Sequence, residues 1–136
     1  MYTDDFAKLW SKLTKDYQMH MESELTPSLT ESQLAVLELL GDQPKMKPSE
    51  MIPYLATTPA AVTMLLDRME RGGLIHRERD EADRRIVWVS ITEHGKEEAE
   101  RGKEVRSRFL GEVLDRISTH NQQLLVYLLG KITSQK

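Results

Sequence analysis

Apolar residues recur at intervals of three and four near the start of the chain. Within residues 3–21 they are Phe6, Leu9, Trp10, Leu13 and Tyr17, and the lysines between them fall on other faces. This spacing places one apolar stripe along a helix. It predicts a long N-terminal helix, which Pro27 ends.

The next apolar segment carries a helix start signal. Thr30 is followed three residues later by Gln33, which is the spacing of a capping box, and the apolar run 34–40 ends at Gly41. A shorter helical pattern, SEMIPYL at 49–55, contains Pro53. Because proline lacks a backbone N–H, this helix is predicted to be short or bent.

The segment 58–95 changes from helical periodicity to short strand-like runs. Thr58 and Pro59 suit an N-cap and a first helical position, and Gly72-Gly73 ends the helix, whose buried stripe is predicted to hold Val62, Leu65, Leu66 and Met69. The runs 74–79 and 86–91 flank the charged segment DEADRR, which predicts a two-stranded hairpin. Helix, turn, helix and a two-stranded wing form a unit with which DNA-binding proteins place one helix in the major groove.

Two more helices are predicted after the hairpin. Thr92 is the expected N-cap of a long helix, and the segment 121–132 is too apolar to face water on all sides. Apolar helices therefore bracket the winged segment, which favours packing against a second copy; completion of a monomeric core is the alternative. The dimerisation residues are expected to be Phe6, Leu9, Trp10, Leu13, Leu125, Leu128, Leu129 and Ile132.

The predicted fold is mainly α: a winged helix-turn-helix with a small two-stranded wing, flanked by long N- and C-terminal dimerisation helices. We assign residues 1–28 and 99–136 to the helical dimerisation region and residues 29–98 to the winged DNA-binding region. A chain of 136 residues accommodates both within a single structural domain overall.

Composition narrows the classes of site and location. The chain has no cysteine, which excludes a disulfide framework, a thiolate zinc site and a cysteine redox switch. No run reaches the roughly 18 apolar residues of a membrane span, and the N-terminal segment is acidic where a signal peptide would be basic. We expect a cytoplasmic protein without membrane association.

The charge balance leaves two functions open. Residues 51–92 hold six Lys/Arg and six Asp/Glu, whereas a DNA-binding domain usually shows a basic surface. Four arginines nevertheless crowd around one turn, namely Arg77, Arg79, Arg84 and Arg85. The alternative function is a winged-helix protein-interaction module, which charge reversal at Arg84 and Arg85 would distinguish from a DNA-binding protein.

Metal and catalytic sites are not favoured. Asp80, Glu81 and Asp83 are potential cation ligands, but six arginines between residues 68 and 85 favour a salt-bridged wing. The four histidines lack ligand spacing, and no Ser-His-Asp order, Gly-rich phosphate loop or HExxH run occurs. We expect no metal, no cofactor and no enzymatic activity.

The hairpin and its flanks match a family pattern. Residues 83–95, DRRIVWVSITEHG, fit Asp-x-Arg, three residues, aliphatic, x, aliphatic, Thr-x-x-Gly. The segments 29–37 and 66–75 are similar to the start of the second helix and the end of the recognition helix in the same family. Over nearly its whole length the chain resembles the multiple-antibiotic-resistance regulator (MarR) family.

The resemblance implies a transcriptional regulator, expected to be a repressor, that binds pseudo-palindromic double-stranded DNA as a homodimer. The helix from Pro59 would enter the major groove, and Arg84 and Arg85 would reach the adjacent minor groove, whose negative potential attracts arginine. Asp83 is interpreted as a wing brace, paired with Arg68 or a wing arginine, because a carboxylate facing phosphate would repel it. The candidate DNA-binding residues are Thr58, Ala60, Ala61, Thr63, Met64, Arg68, Arg84 and Arg85.

The chain departs from the family pattern on the recognition helix. Many members have Ser or Thr at the positions of Ala60 and Ala61 and a polar or basic residue at that of Met64. Alanine and methionine offer apolar contact, which suits thymine methyl groups, while Thr58 and Thr63 remain polar candidates. We therefore predict an A·T-rich site that is read substantially by shape.

The resemblance also implies a small aromatic effector of unknown identity, because relatives often bind aromatic or phenolic acids between the dimerisation helices and the winged unit. Trp10, Tyr17, Met21 and Tyr54 are candidates to line that cleft. The alternative is that they belong to the core, which helical spacing favours.

Overall fold

The computed structural model describes residues 1–134. The secondary structure comprises α1 (Thr3–Leu25), α2 (Glu31–Gly41), α3 (Pro48–Met51), a 3₁₀ helix (Ile52–Tyr54), α4 (Pro59–Arg71), β1 (Ile75–Arg79), β2 (Val87–Ile91), α5 (Glu93–Leu114) and α6 (Thr119–Thr133). Residues 1–105 form one compact unit, and a second unit begins at Arg106, within α5. The predicted fold class, mainly α with a two-stranded wing, is confirmed.

Side-chain caps start α2 and α4. The Thr30 hydroxyl accepts the Gln33 N–H at 3.2 Å, and the Gln33 carbonyl oxygen accepts the Thr30 N–H at 3.1 Å. The Thr58 hydroxyl accepts the Ala61 N–H at 3.2 Å, with Pro59 at the first position of α4. Both of these predicted caps are confirmed, as is that of α5, where the Thr92 hydroxyl accepts the Gly95 N–H at 2.9 Å. Each pairs N–H groups that the first turn of a helix leaves free and is worth about 1 kcal/mol.

Pro53 changes the helix type between α2 and α4. The α-helical hydrogen-bond pattern ends at Met51, after four residues, and the chain continues as the 3₁₀ helix Ile52–Tyr54. The prediction of a short or bent helix is confirmed. The change leaves Tyr54 exposed and turns Leu55 into the core.

The wing is an antiparallel pair in the register Ile75↔Ile91 to Arg79↔Val87. Each strand begins one residue later than its predicted run. The Leu74 N–H donates to Met69 O at 2.9 Å, and the Ile86 N–H donates to Asp83 O at 3.0 Å, so both residues belong to turns.

A further extended segment borders β2. Met46 and Val89 exchange backbone hydrogen bonds of 2.9 and 2.8 Å in an isolated antiparallel bridge. Both side chains are buried. The sequence analysis did not predict this pairing, because a single bridging residue has no alternating pattern.

The core of residues 1–105 receives side chains from α1 to α5 and from both strands. The contribution of α4 is Val62, Leu66 and Met69, all fully buried, and each is worth about 1.5–3 kcal/mol relative to exposure. Leu65, predicted in the same buried stripe, is only half-buried and packs at the core's edge. Burial of one stripe fixes which face of α4 points outward.

One buried charge ties α5 to the end of α1. Glu98 is 7% exposed, and its carboxylate accepts the Arg101 Nε–H at 2.7 Å. The Arg101 guanidinium also donates to Glu24 O and Leu25 O, each at 3.1 Å, which pairs carbonyls at the C-terminal end of α1. The hydrogen bond from the Arg101 guanidinium lowers the pKa of Glu98, so both members of the pair are charged at neutral pH.

Candidate nucleic-acid interface

The outward face of α4 is exposed over its first two turns. Ala60, Thr63 and Met64 are exposed, and Ala61 is half-buried beside them. The Thr63 hydroxyl donates to Pro59 O at 3.2 Å, so its proton is satisfied within the helix and its oxygen can still accept. This part of the surface offers methyl groups, a thioether and a hydroxyl acceptor, without charge.

Arg68 lies one turn further along α4 and is exposed. Arg68 is one of the two predicted partners of Asp83, but the Asp83 carboxylate binds the wing arginine Arg85. Arg68 instead borders a groove with Tyr54 and Met64. The structure therefore places a cation at the end of the uncharged face.

The tip of the wing is a turn over residues 80–86 that hydrogen bonds close. The Asp80 N–H donates to Ile86 O at 2.9 Å. The Asp80 carboxylate accepts the N–H groups of Ala82 at 3.0 Å and Asp83 at 2.9 Å. These bonds order a short segment that has no apolar core of its own.

Asp83 pairs with Arg85, two residues away. Its two carboxylate oxygens accept the Arg85 Nε–H and Nη2–H groups, each at 3.0 Å, and Oδ1 also accepts the Arg85 N–H at 3.1 Å. The hydrogen bonds from Arg85 lower the pKa of Asp83, and those to Asp83 raise the pKa of Arg85. Of the two arrangements considered for Asp83, the structure shows the pair with a wing arginine.

Arg84 occupies the centre of the turn and is exposed. Its backbone oxygen accepts the Arg79 Nη1–H at 2.7 Å. Among residues 1–134, the ion pairs of the hairpin involve His76, Arg77 and Arg85, and the Arg84 guanidinium takes part in none. Arg84 is therefore a cation whose backbone is held while its side chain faces solvent.

Arg77 joins the wing to α4, a contact that the sequence analysis missed. Its Nη2 lies 2.7 Å from Asp67 Oδ1 and 2.8 Å from Glu70 Oε1. The hydrogen bonds raise the pKa of Arg77 and lower that of Glu70. Alternation along β1, which puts Arg77 on the face of buried Ile75, was the available signal.

A second missed cluster lies on the other face of the wing. The Trp88 indole N–H donates to Asp80 Oδ1 at 2.9 Å. The ammonium groups of Lys45 and Lys47 lie 4.5 and 5.7 Å from the centroid of the Trp88 ring, which is the geometry of cation–π contacts. The hydrogen bond from Trp88 is the largest cause of a lowered pKa at Asp80.

Asp80 and Asp83 are thus engaged with N–H donors and a guanidinium. Within residues 1–134 no group of three or more His, Cys, Asp or Glu side chains is arranged to hold a metal ion. In the same range no helix combines the length and apolarity of a membrane span.

The four candidate cleft residues have different environments. Met21 is fully buried and Tyr17 packs against the core, whereas Trp10 and Tyr54 are 56% and 71% exposed. Tyr54 lines a groove of about 510 Å³ between α2, the 3₁₀ helix and α4, together with Met64 and Arg68. For Tyr17 and Met21 the alternative interpretation as core is confirmed.

The terminal helices carry exposed apolar faces. The eight predicted dimerisation residues are between 39% and 68% exposed, comprising Phe6, Leu9, Trp10, Leu13, Leu125, Leu128, Leu129 and Ile132. Phe6 and Trp10 stack with ring centroids 6.4 Å apart. A monomeric protein rarely leaves so many large apolar side chains of two helices exposed to water.

Similar sequences fall into one family. A family model described as MarR family matches residues 29–87. The transcriptional regulator HosA of Escherichia coli O157:H7 is 32% identical over 128 residues, which cover 92% of this chain and 94% of HosA. The repressor MdtR of Bacillus subtilis (strain 168) is 33% identical over 87 residues, covering 64% of this chain and 54% of MdtR.

Solved structures share the fold. The YusO protein of Bacillus subtilis superposes with a TM-score of 0.80 at 24% identity, covering 98% of this chain and 96% of YusO. A mutant of MarR from E. coli, complexed with operator DNA, gives 0.80 at 23% identity and covers 98% of both chains. From the winged segment matched by the family model and the near full-length similarity to HosA, we conclude that the chain belongs to the MarR family.

Proposed function

We propose that this protein is a sequence-specific DNA-binding transcriptional regulator that acts as a homodimer on pseudo-palindromic DNA. The observation that carries the proposal is the presence of an exposed helix face and an exposed arginine turn in one compact unit. Arg77 links the two by ion pairs of 2.7 and 2.8 Å to α4. A mutant of the fold relative MarR has been crystallised with operator DNA, which supports the same use of this unit.

In this proposal α4 lies in the major groove. Thr58, Ala60, Ala61, Thr63 and Met64 would face base edges, and Arg68 would reach the flanking phosphates. The methyl groups of the two alanines and the thioether of Met64 favour thymine methyls over hydrogen-bonding edges. An A·T-rich half-site is therefore the expected target.

The wing turn would enter the adjacent minor groove. A·T-rich DNA has a narrow minor groove with enhanced negative potential, which attracts inserted arginines. Arg84 is exposed, and Arg85 is 91% exposed in its side chain while its backbone is held by Asp83. Both readouts would thus favour the same class of sequence.

The proposed homodimer follows from the exposed apolar faces of α1 and α6. Their burial against a second copy would remove those side chains from water and bring two winged units into one assembly. Two recognition helices about 34–36 Å apart would match successive major grooves on one side of the DNA. Two sites would also raise the affinity of a unit whose residues 51–92 are neutral.

Repression is the proposed direction of regulation, supported by the similarity to MdtR, which is named a repressor. A small aromatic effector that opposes DNA binding is the accompanying hypothesis. The groove beside Tyr54 has the size of a small-ligand site and borders α4 directly. Titration of bound DNA with simple aromatic carboxylates tests it: release is expected, and unchanged anisotropy at saturating concentration contradicts it.

Fluorescence anisotropy tests the function. The full chain is titrated into labelled DNA from upstream of its own gene and into a scrambled duplex of equal composition, at several salt concentrations. We expect selective binding that weakens steeply with salt, with a slope that counts the phosphate contacts. Equally weak binding to both duplexes at every salt concentration would contradict this proposal and favour a protein-interaction module, which the neutral segment 51–92 would suit.

Sedimentation analysis tests the dimer separately. Leu125→Glu combined with Leu128→Glu places two charges on the apolar face of α6 and is expected to yield monomers. Gln123→Glu, at an exposed polar position of the same helix, is the matched control and should sediment as the wild type. Wild-type monomers at the concentrations used for DNA binding would overturn the homodimer.

A further inference from the structure

Trp88 connects the turn of the wing to a separate segment of the chain. Strand alternation puts Val89 into the core and Trp88 onto the opposite face of the hairpin. The bridge between Met46 and Val89 places Lys45 and Lys47 on that same face, where both ammonium groups approach the Trp88 ring. The indole is therefore attached to β2 and contacted by the ammonium groups of Lys45 and Lys47.

The edge of this indole meets the turn through Asp80. Asp80 Oδ1 accepts the Trp88 Nε1–H at 2.9 Å, and Oδ2 accepts the N–H groups of Ala82 and Asp83. One carboxylate thus joins an anchored side chain to two backbone groups at the start of the turn. Removal of the indole donor would leave Asp80 attached only to the turn that it orders.

Both wing arginines depend on the backbone that Asp80 orders. Asp83, whose N–H binds Asp80, holds the Arg85 backbone and guanidinium through its own carboxylate. The Arg79 guanidinium donates a hydrogen bond to the backbone carbonyl oxygen of Arg84. An arginine on an ordered turn loses less conformational entropy on binding than one on a mobile turn.

We propose that Trp88 is a positioning residue: its indole N–H holds Asp80, and Asp80 fixes the turn that presents Arg84 and Arg85 to DNA. This inference rests on the proposed function of the wing. Tryptophan suits the role because its ring supports the two lysines while its N–H donates at the edge. Phenylalanine would keep an aromatic ring beside the two lysines, although a smaller one, and would lose the donor.

A double-mutant cycle tests the proposal on the full chain. Trp88→Phe is expected to weaken binding to a selected operator by about 3- to 10-fold, the value of one or two ordered side chains. In the background Arg84→Ala/Arg85→Ala the same change should have no further effect, because the residues that it positions are absent. A loss of equal size in both backgrounds would show a general structural role and overturn the proposal, as would no loss in the first.

Asp80→Ala should reproduce the loss, and Glu78→Ala is its matched control. Glu78 faces Trp88 across the hairpin, and its carboxylate lies 3.6 Å from His76 Nε2. Both variants remove one negative charge from the wing, which by itself would strengthen DNA binding slightly. Weaker binding by D80A and unchanged or tighter binding by E78A are expected; equal behaviour of the two would contradict the proposal.

Amide hydrogen exchange gives a reading that needs no DNA. In W88F the amides of Ala82 and Asp83 should exchange faster, while core amides such as that of Val62, bonded to Thr58 O, keep their wild-type rates. Unchanged rates at Ala82 and Asp83 would overturn the role of Trp88 even if the protein binds DNA. If these amides exchange faster in W88F but the wild-type protein does not select DNA, Trp88 orders the turn as proposed, and only the proposed DNA-binding function is refuted.

Discussion

Helix α4 and the wing turn are oriented toward solvent by different means. The direction of α4 is fixed from within by Val62, Leu66 and Met69, and its exposed first turns carry no charge. The turn 80–86 has no buried stripe and is fixed by the carboxylates of Asp80 and Asp83. Apolar packing orders a helix through its buried face and leaves its exposed side chains available for contacts. A short turn without a buried face must instead be ordered by hydrogen bonds from polar groups at the surface.

This difference bears on the neutral charge of the winged segment. Asp80 and Asp83, which order the wing turn, supply two of the six negative charges that balance six arginines within residues 51–92, although Arg84 and Arg85 project outward. The net charge of the segment therefore underestimates the positive charge that the wing turn exposes to solvent. The position of the charges, and not their sum, is what a narrow minor groove would detect.

Charge reversal should show the largest difference between the two regions. Arg84→Glu/Arg85→Glu is expected to reduce operator affinity by roughly 100-fold or more, because the two proposed groove contacts would be replaced by repulsion of phosphate. Lys8→Glu/Lys15→Glu makes the same change in net charge at exposed positions of α1. Anisotropy at fixed salt measures both, and an equal loss in the control would assign the effect to net charge and not to the wing.

A methyl group at Gly95 should disturb the junction on which both regions depend. A Cβ there would collide with the carbonyl oxygen of Leu74, where α4 passes into β1, and would lie 2.8 Å from Ile91 Cγ1. Since a backbone atom cannot yield cheaply, Gly95→Ala should lower the free energy of unfolding by about 1–3 kcal/mol in urea titrations.

Gly111→Ala is the matched control within α5. Within residues 1–134, apart from the adjoining residues and the helix's own backbone, no atom lies within 4 Å of a Cβ at this position. Alanine is also the better helix former, so a gain of about 0.5–1 kcal/mol is expected. Destabilisation of the same size at both glycines would contradict the steric explanation.

Loss of Arg77 should loosen the wing from α4. Arg77→Met keeps the aliphatic stem but removes the pairs with Asp67 and Glu70, and these partners are 44% and 39% exposed, so solvent screening limits the loss to about 1 kcal/mol. Urea titration measures it. Lys96→Met, which removes an exposed pair with Glu93, should cost less.

The contribution of Arg77 should also depend on pH. The pKa of Glu70 is lowered in the folded chain, so the stabilisation is present above the ordinary carboxyl pKa of about 4.3 and is lost as pH falls through the lowered value. The difference in unfolding free energy between wild type and R77M should be constant from pH 7 to 5 and shrink below about pH 4. A difference that persists unchanged in acid would contradict the ion-pair explanation.

The smallest expected effect concerns the uncharged face of α4. Replacement of one thymine by uracil in a selected half-site removes a methyl group, which at about 0.8 kcal/mol corresponds to a roughly fourfold loss of affinity. Uracil outside the half-sites is the control. Equal tolerance of G·C pairs throughout the selected site would contradict the predicted A·T preference.

Local signals explain which parts of the fold were predictable. Both caps, the glycine stop after α4, the truncation at Pro53 and the hairpin were predicted because each depends on residues only a few positions apart. Helical periodicity also predicted that Val62, Leu66 and Met69 of α4 are buried. Leu65 was assigned to the buried stripe but lies at its edge, because the width of a buried stripe depends on what packs against it.

The wing shows where such signals end. The sequence offered two partners for Asp83, namely Arg68 and a wing arginine. The structure selects Arg85, because the tight turn places residues 83 and 85 close enough for their side chains to pair. The Trp88–Asp80 bond was missed because aspartate and tryptophan eight residues apart carry no pairing signal. Neither the assignment of DNA contacts nor that of the dimer face is tested by the fold, and both stay predictions.

By itself the sequence determined the order of the helices, their caps, the hairpin and the family, since these depend on local periodicity and on motifs in a fixed order. Only the tertiary structure decided that Glu98 is buried with Arg101, that Arg77 joins β1 to α4, and that residues 45–47 flank the wing. No local sequence pattern indicates which residues form these contacts. Their partners are chosen by the packing of distant segments, in which a buried or half-buried charge must find an opposite charge or a hydrogen-bond partner.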